Sequence, residues 1–236
     1  MATAREAGKA GRLEVLVQDD CSPDFYISEF VHLPALPARN PKNLGFAGNC
    51  NAGALRAQGD ILLFLNQDTR ARAGWFEPIM DIFSSPQVGI AGPKLVFGNR
   101  ETGSPDTIQS CGGWYDGGKG PYHRYLGVAA DYWLCNIRER VSWTTGGALA
   151  IRRELFLMVN GFDPAYKRGY FEDVDLCEKA KARGYEIWYC PESTFEHSVG
   201  TSGGIPAHIF KENSMLFHSR WDGRIKPDTN FIHVNY

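Results

Sequence analysis

Short apolar runs separated by turn-forming residues begin at Leu13 and continue through the first hundred residues. Runs that are apolar on every face predict buried strands, and longer stretches with helical spacing predict helices. The pattern predicts strands over 13–17, 61–65 and 88–91 and helices over 46–57 and 74–84. Because strands and helices alternate, we expect an α/β fold with a doubly wound sheet and right-handed crossovers.

The pattern changes between residues 98 and 132, where glycines and aromatic residues are frequent and no period is evident. We expect irregular hairpins and loops there, laid over the sheet. Beyond this region the pattern predicts strands over 145–151 and 186–190 and helices over 154–159 and 174–182. No internal repeat or low-complexity linker divides the chain, so we expect residues 1–236 to form a single domain.

Composition and charge exclude several classes of protein. The 236 residues contain 25 Lys and Arg against 27 Asp and Glu, a formal net charge of −2, so no polybasic surface for nucleic acid is expected. The six cysteines form no CxxC pair, which favours reduced thiols over a zinc ribbon or a disulfide framework. No apolar run approaches the length of a spanning helix or an export signal, so we expect a cytoplasmic protein.

Four acidic or imidazole side chains are candidates for chemistry. Asp68 directly follows the predicted strand 61–65, at the edge where open α/β sheets bind ligands, although a lone Asp there is commonly a turn former. Glu172 and Asp173 precede a predicted helix, where a carboxylate could act as a general base or serve only as an N-cap. His197 follows another predicted strand and could bind a metal or be an ordinary histidine.

Five segments resemble, in order and rough spacing, the family 2 glycosyltransferases, particularly the bacterial rhamnosyltransferase-like branch. The resemblance covers residues 13–221, most of the chain. The segments are VQDDCSPD (17–24), NLGFAGNCNAG (43–53), LLFLNQDTR (62–70), the ED pair (172–173) and HSVGTS (197–202). A resemblance to this family implies the GT-A fold, a Rossmann-like mixed sheet flanked by helices. It also implies a nucleotide-binding half over 13–97, an acceptor-binding half over 98–221 and a C-terminal tail over 222–236.

The implied reaction is transfer of a sugar from a UDP- or dTDP-linked donor to an acceptor hydroxyl, with inversion, in glycan or surface-polysaccharide assembly. The resemblance implies that Asp19 accepts the N3–H of the nucleotide base and that Asn43 and Asn51 support the nucleotide pocket. Asp68 would hold Mg²⁺ or Mn²⁺ on the diphosphate, with His197 as a second ligand.

The resemblance also assigns the residues around the reacting sugar. Asp173 would be the catalytic base and Glu172 would orient the acceptor. Gly146 and Gly147 would let the backbone approach the donor sugar. Trp114 is a candidate for stacking in the donor or acceptor pocket, although aromatic residues in such a loop more often pack locally. The acceptor would be a glycan or a lipid-linked glycan, which is compatible with peripheral contact at the inner face of a membrane.

The family's opening strand and most of the following helix have no counterpart before residue 13. We therefore expect an N-terminally truncated fold with an exposed strand edge. This feature motivates an alternative function, an inactive chain that binds a sugar nucleotide or a partner protein without turnover. A sugar nucleotidyltransferase is a less favoured alternative, because no glycine-rich, basic phosphate loop follows the first visible strand.

Overall fold

The computed structural model describes residues 13–24, 27–30, 32–97, 106–116, 120–198 and 205–228. The expectations for residues 1–12, for parts of 98–132 and for the end of the HSVGTS segment lie outside these residues. The strands are β1 (Leu16–Asp19), β2 (Leu36–Arg39), β3 (Ile61–Leu65), β4 (Thr69–Ala71), β5 (Val88–Phe97), β6 (Thr107–Ser110), β7 (Gly113–Tyr115), β8 (Pro121–His123), β9 (Glu139–Arg140), β10 (Ala148–Arg152) and β11 (Glu186–His197). The α-helices are α1 (Gly45–Arg56), α2 (Phe76–Ile82), α3 (Arg153–Met158), α4 (Glu172–Lys181) and α5 (Ala207–Trp221).

A mixed seven-stranded sheet forms the centre of the structure. Its main path runs β3-β10-β5-β11-β4, with β6 paired to β5 and β9 paired to β11. β11 runs parallel to β5, whereas β10 runs antiparallel to both β3 and β5. Strands from both predicted halves therefore alternate within one sheet. The mixed sheet flanked by helices is confirmed, but the purely doubly wound arrangement expected from strand-helix alternation is wrong at β10.

The predicted elements agree with the structure where apolar periodicity is strong and differ where strands continue through a proline, at Pro93 in β5 and Pro191 in β11. β3 is the predicted strand residue for residue, whereas β5 and β11 extend six and seven residues beyond their predicted ends. β3 was expected to be covered on both faces, yet Leu65 is 45% exposed. Within the described residues β3 has β10 as its one paired neighbour, so it lies at the edge of the sheet.

Two hydrophobic clusters lie on opposite faces of this sheet. Along β10, Leu149 and Ile151 belong to one cluster, and Ala148 and Ala150 belong to the other. This alternation follows from the period of two in a strand. The second cluster contains the apolar side of α2, and the first contains the phenylalanines that join α1, β3 and α3. No helix in the described ranges combines the length and apolarity that crossing a bilayer needs.

We predict that Phe162→Ala destabilises the protein by about 3–5 kcal/mol, because it leaves a cavity among buried aromatic rings. The Phe162 ring is fully buried and lies 5.4 Å from Phe46, 5.1 Å from Phe64 and 5.5 Å from Phe156 between centroids. Chemical denaturation measures the loss.

The control for this prediction is Met158→Ala, at the end of α3. Met158 is 47% exposed, so its truncation should change the free energy of unfolding by no more than about 0.5 kcal/mol. Equal losses in the two variants would contradict the assignment of Phe162 to the core.

Candidate active site

A glycine turn at the start of β10 connects the candidate residues. Ala148 pairs with Leu65, so Gly146 and Gly147 lie just beyond the carboxyl end of β3. The backbone N–H of Gly146 donates to the Asp173 carboxylate at 2.8 Å. A side chain at Gly147 would lie 3.4 Å from the His197 ring. The turn therefore brings the ED pair and the candidate metal ligands to the two sides of one short backbone segment, as expected for ligand sites at strand ends.

The candidate metal ligands Asp68 and His197 lie side by side. Asp68 Oδ1 is 3.0 Å from His197 Nε2, and both side chains are largely buried. His197 Nδ1 lies 2.8 Å from Gln109 Oε1 on β6. When Nδ1 donates to this oxygen, the Nε2 lone pair faces Asp68 Oδ1, and this arrangement is favourable only with a cation between the two atoms, because two lone pairs otherwise repel. Asn66 Nδ2 lies 3.5 Å from the same Nε2.

This pair fits a divalent cation. Oxygen and nitrogen ligands at about 2.1 Å from an octahedral ion lie about 3.0 Å apart in adjacent positions, which is the spacing of Asp68 Oδ1 and His197 Nε2. In the described part of the chain no three His, Cys, Asp or Glu side chains cluster for a metal. A cation held here would take its remaining ligands from outside these two side chains, and Mg²⁺ commonly takes them from phosphates and water.

The two acidic residues of the ED pair begin α4 and are almost completely buried. The Asp173 carboxylate accepts hydrogen bonds from the backbone of Gly146 and Val174, each at 2.8 Å, and from the Thr145 side chain. Burial raises the pKa of Asp173, and these donors oppose the rise. Burial also raises the pKa of Glu172 well above its usual 4.5, and the charge of Asp173 adds to this rise.

The surroundings divide the pair into a charged and a neutral member. Glu172 Oε2 is buried and has no hydrogen-bond partner among the described residues, and the Glu172 carboxyl group accepts only its own backbone N–H, whereas Asp173 has its own backbone N–H and three further donors. Two adjacent buried carboxylates resist double ionisation, so the proton is retained preferentially on Glu172 and the negative charge on Asp173. A buried carboxylate with a raised pKa is a suitable general base near neutral pH.

The backbone just before the ED pair is strained. Four consecutive residues have positive φ: Arg168 at 61°, Gly169 at 135°, Tyr170 at 71° and Phe171 at 74°. The left-handed conformation costs an L-residue about 1–2 kcal/mol, and only Gly169 escapes that cost. Such strain persists only where surrounding contacts impose it, and it commonly accompanies functional sites.

The nucleotide-side candidate Asp19 ends β1. Its carboxylate accepts the Ser22 N–H at 3.1 Å and lies 3.4 Å from Arg39 Nε. The side chain is buried, and each carboxylate oxygen has two lone pairs, so the group retains acceptor capacity for an N–H donor of a base.

Asp20, next to it, holds the start of α1. Its two oxygens accept the N–H groups of Leu44 and Gly45, each at 2.8 Å. Asn43 donates from its side chain to the Asp20 carbonyl at 3.2 Å and remains exposed. These contacts bring Asn43 and the first turn of α1 to the end of β1. Phe46, in that turn, would lie 3.1 Å from a side chain at Gly146. The first turn of α1 therefore lies between the end of β1 and the glycine turn.

Asn51 makes contacts other than those expected for a nucleotide-pocket residue. Its amide donates to the Phe162 carbonyl at 2.8 Å and accepts the Phe162 N–H at 3.0 Å. Asn51 thus fixes α1 to the chain segment after α3, 111 residues away. A role in the nucleotide pocket stays a prediction for Asn51, and its observed hydrogen bonds are those of a tertiary clamp.

Trp114 lies in β7 and is 9% exposed. Its ring lies 5.8 Å from Tyr122 across the β7–β8 hairpin, and its carbonyl accepts the Trp143 indole N–H at 3.4 Å. These contacts fit local packing of the hairpin. Its assignment to a donor or acceptor pocket stays a prediction.

Three further residues of this region were not individually predicted from the sequence, although Asp20 and Phe46 lie within the segments 17–24 and 43–53. Gln109 is one of several polar residues of β6, Phe46 resembles any apolar position of a helix, and Asp20 caps a helix that begins 25 residues later. Each side chain contacts a segment that is distant in sequence, so spacing along the chain could not identify the contact. Asp20 was the easiest of the three to predict from the sequence, because it adjoins Asp19 in the first acidic turn.

We predict that the stability of the folded protein falls as pH rises from about 4.5 toward the raised pKa of Glu172. In this range the folded state retains a proton that the unfolded chain releases, so each increase in pH favours unfolding. Glu172→Gln removes the ionisation and should flatten the profile. Thermal unfolding between pH 4.5 and 8 measures both profiles.

The control is Glu154→Gln on the exposed face of α3, which should keep the wild-type profile. A Glu172→Gln variant with the same pH dependence as the wild type would contradict the buried, protonated state of Glu172.

Sequence profiles connect this chain to known families. The profile of glycosyl transferase family 2 matches residues 2–137, more than half of the chain. A profile described as the N-terminal domain of galactosyltransferase matches residues 124–199, which include the ED pair and His197.

Similar proteins include two glycosyltransferases of Mycobacterium tuberculosis. A pre-mycofactocin glycosyltransferase is 26% identical over 201 residues, covering 80% of this chain and 38% of the relative. An N-acetylglucosaminyl-diphospho-decaprenol L-rhamnosyltransferase is 26% identical over 187 residues, covering 69% of this chain and 57% of the relative. The chain therefore spans well under two thirds of the length of either protein.

Among solved structures, GalNAc-T7 with UDP, GalNAc and Mn²⁺ superposes with a TM-score of 0.64 at 18% identity, covering 91% of this chain and 45% of that chain. The likeness extends over almost all of the chain and shows that the fold is GT-A. With the profile match, the mixed sheet and the order of the motifs in agreement, the chain belongs to glycosyl transferase family 2.

Proposed function

We propose that this protein is an inverting, metal-dependent glycosyltransferase that moves a sugar from a UDP- or dTDP-linked donor to an acceptor hydroxyl in glycan or surface-polysaccharide assembly. The observation that carries the proposal is the glycine turn. Gly146 N–H contacts Asp173, and Gly147 adjoins His197, which pairs with Asp68. A candidate base and a candidate cation site therefore face the same short backbone segment from two sides.

Donor binding would use the end of β1 and the start of α1. Asp19 accepts the base N3–H, and Asn43 lines the same end of the nucleotide site. The diphosphate extends toward Asp68 and His197, which would hold Mg²⁺ or Mn²⁺. When bound, the cation supplies positive charge that stabilises the leaving diphosphate. Gln109 would support this site by accepting the Nδ1–H of His197, which leaves Nε2 free to bind the cation.

Asp173 removes the proton of the acceptor hydroxyl as the new glycosidic bond forms. The proton passes to the Asp173 carboxylate while the bond between the sugar and the diphosphate breaks. A base that activates the acceptor directly gives a single displacement, which inverts the anomeric centre. Glu172 carries its proton beside the base, where it donates a hydrogen bond to an acceptor oxygen and orients the acceptor. The glycine turn would let the backbone approach the donor sugar.

The relatives support the classes of donor and acceptor. The solved neighbour GalNAc-T7 was crystallised with UDP and Mn²⁺, and the mycobacterial rhamnosyltransferase is named for a lipid-linked N-acetylglucosaminyl acceptor. By analogy we propose a glycan or a lipid-linked glycan as the acceptor, with the reaction in the cytoplasm at the inner face of the membrane.

We predict that UDP or dTDP raises the melting temperature of the protein in the presence of Mn²⁺. A ligand at 100 times its dissociation constant adds about 2.7 kcal/mol of stability. GDP and CDP, each with and without Mn²⁺, complete the titration. Asp68→Ala should abolish the metal-dependent part, whereas Asp60→Ala, an exposed Asp just before β3, should retain it. Absence of any shift in a folded sample would contradict the donor site.

We predict that Asp173→Asn lowers sugar transfer by about 10²–10⁴-fold while nucleotide binding stays intact. The amide oxygen still accepts the Gly146 N–H, but the group no longer takes a proton. Product formation from a panel of UDP- and dTDP-sugars measures the loss, with Asp81→Asn at an exposed position of α2 as the control. Unimpaired transfer by Asp173→Asn would remove Asp173 from the mechanism. Nucleotide binding without transfer by the wild type, over the whole panel, would favour an inactive binding protein.

A further inference from the structure

One buried amide on α5 contacts the strained loop before the ED pair. Asn213 is 1% exposed. Its Nδ2 group donates to the carbonyls of Lys167 at 3.0 Å, Gly169 at 2.8 Å and Tyr170 at 3.3 Å. Its Oδ1 accepts the Lys167 N–H at 3.1 Å. Both polar atoms of the side chain are therefore hydrogen-bonded to the backbone of this one loop.

These bonds add to the backbone hydrogen bonds of the segment, in which the Lys167 carbonyl accepts the Gly169 N–H and the Phe171 carbonyl accepts the Asp175 N–H, each at 2.8 Å. Left-handed residues in succession form neither a right-handed helix nor a strand ladder, so their carbonyls need other donors. The two N–H bonds of the Asn213 amide are shared among three carbonyls over four residues, and the side chain approaches from a helix that follows the ED pair by about forty residues. The loop conformation is thus imposed by a tertiary contact and not by local sequence preference.

The same helix also holds the other side of the ED pair. Arg220 and Trp221 donate to Asp175 Oδ1, at 3.3 and 2.9 Å, and Asp175 is buried in the first turn of α4. Arg220 in addition pairs with Asp163 at 2.6 Å. α5 therefore fixes the segment before Glu172 through Asn213, and the turn after Asp173 through its last residues.

We propose that Asn213 is a positioning residue for catalysis, which holds the loop 168–171 in its left-handed form and thereby places the Asp173 carboxylate against the glycine turn, with Glu172 beside it in the chain. This inference rests on the proposed function. A change of φ at Phe171 would rotate the start of α4 and move the Asp173 carboxylate from the Gly146 N–H. Because catalytic groups must be placed within fractions of an ångström, displacement of about 1 Å is enough to slow a reaction by about 10²-fold.

The test compares Asn213→Ala, which removes every bond, with Asn213→Ser, a polar variant that keeps a hydroxyl donor and acceptor. Glu212→Gln is the matched control, because Glu212 joins the same helix to the same loop through an exposed ion pair with Lys167 at 3.0 Å. Hydrogen–deuterium exchange of the backbone amides between Gly169 and Val174 is measured together with kcat and KM for the donor that the wild type consumes.

We expect the Ala variant to exchange these amides at least about tenfold faster than the wild type, with the Ser variant between them and the control unchanged. We expect kcat to fall about 10–100-fold in Asn213→Ala while KM for the donor changes less than about twofold, since the nucleotide site is untouched. The partial rescue by Ser separates positioning from a general loss of folding.

Unchanged exchange in both Asn213 variants would overturn the inference, and so would faster exchange with unchanged kcat. A wild type that consumes no donor would contradict the proposed transferase activity. In that case faster exchange confined to the Asn213 variants would still support the clamp on the loop, so the two failures are distinguishable.

Discussion

The hydrogen bond from the Gly146 N–H to the Asp173 carboxylate is the contact on which the candidate site depends. It joins the start of β10 to the start of α4, two elements that belong to different layers of the fold. It also determines the chemistry of the ED pair, because this donor helps to keep the negative charge on Asp173 and leaves the proton to Glu172. The same turn adjoins His197, so the positions of the candidate base and of the candidate cation site are coupled through two glycines.

Much of the fold could be predicted from the sequence because apolar runs report burial directly. β3 and α1 match their predicted ranges closely, and α4 begins at the predicted ED pair. Helix α5 was not predicted. Phe210 and Phe217 of this helix pack on Phe171, and Trp221 packs on the core, with the buried amide of Asn213 among them. A polar residue thus interrupts the apolar stripe at the position that contacts the loop, which weakens the signal that periodicity detects.

The candidate residues also divide into those whose surroundings follow from the topology and those whose contacts depend on tertiary packing. Asp68, Asp173 and His197 follow or precede strong elements, so their neighbourhood could be expected from topology and the structure brings them to one turn. Asn51 belongs to an equally recognisable motif, but its partner Phe162 lies 111 residues away. A motif predicts which residue types occur together. The contacts that each side chain makes depend on tertiary packing, and several of the positioning contacts here are of this kind.

The part of the candidate site around Asp19 is held in place by side chains and not by the central sheet. β1 and β2 pair only with each other among the described strands. They are linked to α1 by a polar network with distances of 2.9–3.0 Å. Gln18 donates to Asn40, and Asn40 donates to both Asp20 and Asn49. Asn49 donates in turn to the Gln18 carbonyl. Such networks are stable when every member is satisfied and costly when one is lost. The position of Asp19 therefore depends on several amides acting together, whereas that of Asp68 follows from the backbone ladder of β3 and β10.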